Sequence, residues 1–161
     1  MPQASCCNFH TAKPLRQYEA FDYFCCPKAF EMKLIEVTDK KTEKRFLDVA
    51  RYLYRNDPNF VCPLDNDIRN IFDPARNRFF DKGEAVRWYL TGDDGELLGR
   101  IAAFYNTEKA KNYKQPTGGI GFFETVNDRE KAFLLFDTAS EWLQNKGMEA
   151  MDGPINFGEN D

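Results

Sequence analysis

The sequence predicts an α/β protein of the α+β kind, in which a mixed, mostly antiparallel sheet is flanked by helices. Residues 85–91 and 97–105 are strand-like runs joined by a turn rich in Gly and Asp, which is typical of a hairpin. Residues 119–154 follow the pattern of a strand, an amphipathic helix and a second strand. A hairpin followed by a strand–helix–strand unit indicates a mixed sheet with helices packed on it.

The first elements are one strand and two helices. Residues 33–37 are strand-like, and Asp39 can cap a helix that the 56–59 cluster of Asn, Asp and Pro ends. Residues 63–72 form a second short helix that Asp73-Pro74 closes. The apolar positions that recur at helical spacing in the first helix are Phe46, Val49, Ala50, Leu53 and Tyr54.

The later elements complete the order β, α, α, β, β, β, α, β. The lysine-rich residues 107–118 are expected to be a loop, and residues 120–126 an apolar strand. Asp128 can cap a helix that runs to about Asn145, where Lys146-Gly147 supplies the stop. Residues 149–155 are a short strand broken by Gly153-Pro154. The apolar stripe of the helix is Ala132, Leu135, Phe136, Ala139, Trp142 and Leu143.

The composition is that of a folded protein without a nucleic-acid surface. The 161 residues match one domain in length, and 42% of them are hydrophobic. A formal net charge of −4 argues against phosphate binding by clustered Lys and Arg. No apolar run reaches the roughly 18–20 residues of a membrane helix, and no signal peptide is evident. We therefore expect a cytoplasmic protein without a membrane segment.

Residues 1–31 differ from the rest and are expected to be a poorly ordered N-terminal extension, with the domain occupying residues 32–161. They show no sustained strand or helix period, and His10 is the one histidine. Vicinal cysteine pairs fit neither a CxxC site nor a disulfide framework, which indicates free thiols; two pairs converging on a metal are the alternative. We expect no metal site. The cysteines are Cys6, Cys7, Cys25, Cys26 and Cys62.

Three short sequences, together with the order of elements, suggest a family. They are Gly-Phe-Phe-Glu at 121–124, the helix end Trp142-Leu143 with Lys-Gly-Met at 146–148, and Gly-Pro-Ile-Asn-Phe at 153–157 with Asn160-Asp161. Residues 32–161 resemble an uncharacterised bacterial branch of the GNAT-type N-acyltransferase superfamily. In that fold another helix and two strands follow, so we expect the domain to be incomplete at its C-terminus.

The resemblance implies an acyl-CoA co-substrate, acetyl-CoA or another, and an amine acceptor. The pantetheine arm would lie along the 121–126 strand, beside Phe122 and Phe123. The pyrophosphate would meet the turn before the helix, at Val126, Asn127, Asp128 and Arg129, because a helix N-terminus favours anions. This turn departs from the family pattern because it contains no glycine. Helix capping explains its residues equally well.

Glu124 lies on the same strand, where the resemblance implies a general base that deprotonates the amine. The alternatives are an exposed carboxylate and one paired with Arg100 on the neighbouring strand. The family's usual acid, a Tyr on the next helix, has no counterpart in these residues.

Two functions remain open: an N-acyltransferase, inactive as this fragment alone, and a non-catalytic binding or scaffolding module with the same fold. For either one, we expect self-association through the open sheet edge.

Overall fold

The protein is represented by a computed structural model that describes residues 32–155. Five strands form one sheet in the order β1-β2-β3-β4-β5. They are β1 (Lys33–Glu36), β2 (Gly83–Thr91), β3 (Leu97–Asn106), β4 (Thr117–Thr125) and β5 (Ala150–Asp152). The helices are α1 (Lys40–Leu53), α2 (Asp65–Ile71), α3 (Thr107–Ala110) and α4 (Arg129–Asn145), with a 3₁₀ turn at Arg78–Asp81.

The pairing of the strands confirms the predicted mixed, mostly antiparallel sheet. β1 through β4 pair with their neighbours in antiparallel fashion, and β4 and β5 run parallel. The predicted hairpin is β2–β3, whose turn places Gly95 at a φ of 75°, a left-handed conformation that suits glycine.

Helices cover both faces of the sheet. On one face α4 buries Leu135, Ala139 and Leu143 against Trp88 and Ile101. On the other face α1 buries Phe46, Leu47 and Val49, and α2 adds Ile68, against Tyr89 and Leu97. Side chains that alternate along the strands, such as Trp88 and Tyr89, therefore supply two separate apolar clusters.

The helix ends follow local signals that were readable in the sequence. Asp39 accepts a hydrogen bond from the N–H of Thr42 at 2.7 Å, within a capping box. Asp128 accepts from the N–H groups of Glu130 and Lys131. Gly147 has a φ of 82°, and the N–H of Met148 donates to the carbonyl of Leu143, which closes α4 at the predicted residue.

The expected loop at 107–118 was wrong at both ends. It begins with α3, whose N-terminal N–H groups donate to the side chain of Asn106, and its last two residues belong to β4. A cap of this kind is a local signal in the sequence, but the lysines that follow obscured it. The 3₁₀ turn at Arg78–Asp81 was also missed, and Asn77 caps it in the same way.

Several other bounds differ from those expected. The ladder with β3 extends β2 to Gly83, two residues earlier than predicted, and β5 covers three residues rather than 149–155. α1 ends at Leu53, ahead of the 56–59 cluster, and α2 is shorter than 63–72.

The expectations for residues 1–31 and for 156–161 lie outside the described residues. Cys62 is a free thiol, as expected. None of the helices between residues 32 and 155 combines the length and apolar character needed to cross a bilayer.

Candidate functional site

A β-bulge in β4 shapes the site. Arg100 lies opposite Glu124 and Ala102 lies opposite Gly121, so two residues of β4 face the single β3 residue between them. The bulged residue, Phe122, has a φ of 50°. A positive φ is uncommon for a bulky side chain, and such positions gather at functional sites.

Beyond the bulge, the side chains of β4 alternate in the opposite sense between the two faces of the sheet. Ile120 belongs to the cluster under α4. Phe122 contacts Phe46 and Phe72, at ring-centroid distances of 6.3 and 5.1 Å, on the α1 and α2 side. Phe123 stacks on Phe136 of α4 at 4.3 Å. Glu124 therefore returns to the α1 and α2 side.

β4 and β5 separate at the same place. Their ladder joins Thr117–Gly119 to Ala150–Asp152, and the N–H of Ile155 then donates to the carbonyl of Ile120 at 2.7 Å. The ladder itself ends at Gly119 and Asp152, so residues 121–125 lie beyond it. Three of these residues, Phe122, Phe123 and Glu124, line a cleft.

The cleft has a volume of about 460 Å³ and lies between α2 and the bulged part of β4. Eight of its eleven lining residues are apolar, and two carboxylates, Asp67 and Glu124, also line it. The remaining lining residues are Pro63, Leu64, Ile68, Ile71, Arg100, Phe122, Phe123, Pro154 and Ile155.

Glu124 forms an ion pair with Arg100 across the β3–β4 ladder. The Nε of Arg100 donates to Oε2 of Glu124 at 2.7 Å, and the side chains are 3% and 21% exposed respectively. The Nη1 of Arg100 donates to the carbonyl of Phe46 on α1 at 3.0 Å. The pairing left open by the sequence is therefore present, and the paired carboxylate still reaches the cleft.

Most backbone donors in the turn before α4 already have acceptors. The N–H of Val126 donates to the carbonyl of Leu98, and that of Asp128 donates to the carbonyl of Val126. The side chain of Asp128 accepts from the N–H groups of Glu130 and Lys131. Within residues 32–155, the N–H groups of Asn127 and Arg129 take part in no such bond.

Asp128 also pairs with the ammonium of Lys131. This side-chain hydrogen bond, followed by those from the helix N–H groups, lowers the pKa of the Asp128 carboxyl. Its charge is thus compensated locally. The guanidinium of Arg129 lies over the ring of Phe133 at 5.2 Å and is exposed to solvent.

The residues predicted for the site are divided between two places. Phe122, Phe123 and Glu124 line the cleft, whereas Val126, Asn127, Asp128 and Arg129 form the turn at the end of β4. Sequence reasoning missed the contribution of α2, in particular Asp67, because an exposed acidic residue in a short helix carries no sequence signal of its own.

From the sequence, Arg100 was considered only as an alternative ion-pair partner for Glu124. An arginine inside the otherwise apolar strand Leu-Leu-Gly-Arg-Ile-Ala-Ala-Phe was the available signal for a buried charge. Among the described residues, no three side chains of His, Cys, Asp or Glu gather as a metal site would require.

Comparison with known proteins gives partial matches in sequence. Protein YghO of Escherichia coli (strain K12) is 30% identical over 122 residues, which cover 76% of this chain and 31% of that protein. Bacterial ceramide synthase of Caulobacter vibrioides is 29% identical over 136 residues, covering 81% of this chain and 34% of that protein. This chain spans about a third of the length of these relatives. No protein-family model matches it.

Solved structures share the arrangement of strands and helices. A GNAT-family acetyltransferase from Staphylococcus aureus Mu50 gives a TM-score of 0.53 at 11% identity, covering 75% of this chain and 71% of that chain. A predicted acetyltransferase from Clostridium acetobutylicum with acetyl-CoA gives 0.52 at 13% identity, covering 79% and 82%. An aminoglycoside acetyltransferase from an uncultured soil sample, in complex with sisomicin, gives 0.52 at 10% identity, covering 80% of each chain.

Proposed function

Because the chain has the GNAT-type N-acyltransferase fold, we propose that it carries the transfer site of an enzyme that moves an acyl group from acyl-CoA to an amine. One observation carries this proposal. Beyond the described ladder with β5, β4 lines a cleft in which Glu124 offers a carboxylate. An extended thioester and an amine can approach each other there.

The acyl-CoA would bind along residues 121–125. An extended ligand can align with a strand through main-chain hydrogen bonds, and the amide groups of the pantetheine arm suit this mode. The bulge at Phe122 then directs the thioester toward the cleft.

The phosphates of CoA would lie at the turn before α4. Two N–H groups, those of Asn127 and Arg129, remain available there, and the exposed guanidinium of Arg129 can add a charge-assisted hydrogen bond. Asp128 occupies the next donors itself. We therefore propose that few backbone N–H groups contact the phosphates and that the guanidinium of Arg129 supplies much of the binding.

The reaction would proceed by direct transfer. The amine nitrogen attacks the thioester carbonyl carbon, an amide C–N bond forms, and the C–S bond breaks to release CoA thiolate. Glu124 would take the proton that the attacking nitrogen loses, and the thiolate would take up a proton from solvent. The acyl carbon keeps its oxidation state throughout.

The acceptor would be an amine with a long apolar chain. Ceramide contains an amide between a fatty acyl group and a long-chain amine, and the name of the Caulobacter relative thus supports this class. The cleft suits such a substrate, because apolar walls surround the two carboxylates that can meet a cationic amine. Leu64 and Ile155, which are 69% and 53% exposed, extend the apolar surface at its lining.

A non-catalytic binding module is the second candidate. It is favoured by the turn before α4, where the chain's own acceptors occupy donors that would otherwise hold phosphate. The cytoplasmic location and the self-association through the sheet edge remain predictions.

Turnover by the full-length protein tests the proposal. CoA thiol release would be followed with a long-chain acyl-CoA and sphinganine, with N-acetylsphinganine as the control that lacks a free amine. We expect release with the free amine only, and an amide product by mass spectrometry. Absence of turnover across chain lengths and amines, with acyl-CoA binding retained in calorimetry, would instead support the binding module. Absence of both would contradict the two candidates together.

A further inference from the structure

We propose that Arg100 is a positioning residue, which holds one oxygen of Glu124 so that the other is presented to the acceptor amine. The inference rests on the proposed function, since it assigns a role within the same cleft. Arg100 also lines the cleft, but the group that meets the amine would be the Glu124 carboxylate and not the guanidinium. The effect of Arg100 would be exerted through the orientation of the Glu124 carboxylate.

Arg100 is itself held in one place. Its side chain is 3% exposed, and burial of a charge requires compensation by partners. Glu124 supplies one partner, the carbonyl of Phe46 supplies a second, and the guanidinium lies 4.9 Å from the centre of the Phe46 ring. These contacts come from α1 and β4, so two elements restrain a side chain that belongs to a third.

The contact with Glu124 engages a single oxygen. Nε of Arg100 donates to Oε2, whereas Oε1 accepts no hydrogen bond from the described residues. Within residues 32–155, every buried side-chain oxygen or nitrogen has a hydrogen-bond partner. Because Oε1 of Glu124 accepts no such bond, it must be reached by solvent. A bidentate pairing would have used both oxygens. The observed single hydrogen bond fixes the carboxylate through Oε2 and leaves Oε1 available to the cleft.

The bulge makes this arrangement possible. If β4 continued past Gly121 in regular alternation without the bulge, Glu124 would lie on the same face as Ile120, under α4. Arg100 then would have no carboxylate opposite it on the α1 side. The ion pair of Arg100 and Glu124 thus depends on the strained backbone at Phe122.

A second buried arginine offers a matched control. Arg87 on β2 faces the same side of the sheet, lies 4.3 Å from the centre of the Phe72 ring, and pairs with Glu43 of α1 at 3.4 Å. Its side chain is 15% exposed. Neither Arg87 nor Glu43 lines the cleft. Loss of Arg87 should therefore lower stability, as loss of a largely buried arginine does. It should leave the orientation of the Glu124 carboxylate unchanged.

The experiment compares Arg100→Lys, Arg100→Gln, Arg87→Lys and Arg87→Gln in the full-length protein, with long-chain acyl-CoA and sphinganine. Arg100→Lys keeps the charge but loses the planar geometry, so we expect kcat to fall by about 10- to 100-fold while the KM for acyl-CoA stays within about twofold. Arg100→Gln removes the charge as well, so we expect a fall in kcat at least as large, again with the KM for acyl-CoA nearly unchanged. The Arg87 variants should lower the melting temperature and leave kcat and the KM for acyl-CoA near the wild-type values.

The inference is overturned if the wild-type protein is active and the Arg100 variants match the Arg87 variants in kcat and in the KM for acyl-CoA. If Arg100→Gln does not fold, the comparison of Arg100→Lys with Arg87→Lys decides through kcat alone. Inactivity of the wild-type protein toward every amine would overturn the proposed function, and the inference with it.

Discussion

Ile120 and Glu124 lie on the same strand with three residues between them, yet their side chains face opposite sides of the sheet. Regular alternation would put residues of equal parity on one face. The bulge at Phe122 changes that parity and brings a carboxylate to the cleft instead of to the core under α4. The position of the candidate base therefore depends on the bulged conformation of the backbone at Phe122.

Replacement of Glu124 by glutamine is expected to reduce kcat by about 10²- to 10⁴-fold, since an amide cannot accept the proton of the amine. The KM for acyl-CoA should change little, because the proposed cofactor contacts are to the backbone of β4 and to the following turn. Steady-state kinetics of CoA release measures both values. Glu141→Gln, at an exposed position of α4, is the control, and an equal loss of kcat in the two variants would contradict the assignment.

Replacement of Arg129 by glutamine is expected to raise the KM for acyl-CoA by roughly 3- to 10-fold, because one charge-assisted hydrogen bond to phosphate is lost at an exposed site. The wild-type KM should rise with salt, and that of the variant should rise less. The control is Arg76→Gln, where an exposed arginine pairs with Asp73 away from the cleft. A KM for acyl-CoA that is unchanged in Arg129→Gln would place the phosphates elsewhere.

Truncation of Leu135 to alanine is expected to lower the free energy of unfolding by about 2–5 kcal/mol, because it leaves a cavity between α4 and the sheet. Leu135 is fully buried, whereas Phe133 on the same helix is 50% exposed. Phe133→Ala should therefore have a much smaller effect in the same denaturant titration. Equal losses would show that α4 is not packed through the face described above.

Replacement of Asp128 by asparagine is expected to weaken the acid dependence of stability. The folded-state pKa of Asp128 is lowered, chiefly by the hydrogen bond from Lys131. Its contribution is thus complete above the unfolded-state pKa of about 3.9 and is lost as the pH falls through the lower folded-state pKa. Asparagine still caps the helix but does not titrate there. Melting temperatures between pH 6 and pH 2.5 measure the difference, with Asp137→Asn as the control.

If the wild type and Asp128→Asn lose stability in parallel as the pH falls, the Asp128 cap is not a source of the acid sensitivity. Asp39, whose pKa is lowered by hydrogen bonds from Thr42, would then be the cap to replace next.

Local features of the chain were predictable, and long-range ones were not. Asp128 and Gly147 specify the ends of α4 through contacts within a few residues, and their effect is visible in the sequence. Asn106 is a signal of the same kind that the neighbouring lysines concealed. The bulge at Phe122 has no local signal, because its positive φ is stabilised by rings from α1 and from the residue after α2.

The site was foreseen in part for the same reason. Glu124 could be placed by its strand and by resemblance, and its pairing with Arg100 by register. Asp67 could not be foreseen, since only the packing of α2 over the sheet brings it to the cleft. Likewise, the hydrogen bond from Val126 to Leu98 depends on the pairing of distant strands.

The two faces of the sheet differ in how much change they can tolerate. α4 is held by fully buried apolar residues, whereas α2 is a short helix held by Ile68 and by ion pairs such as that between Arg69 and Glu43 at 3.2 Å. Partly exposed ion pairs contribute little to stability, so replacing them costs little. Substitutions in α2 should therefore remodel the wall of the cleft while the framework around α4 persists, so that the proposed acceptor could change without a new fold.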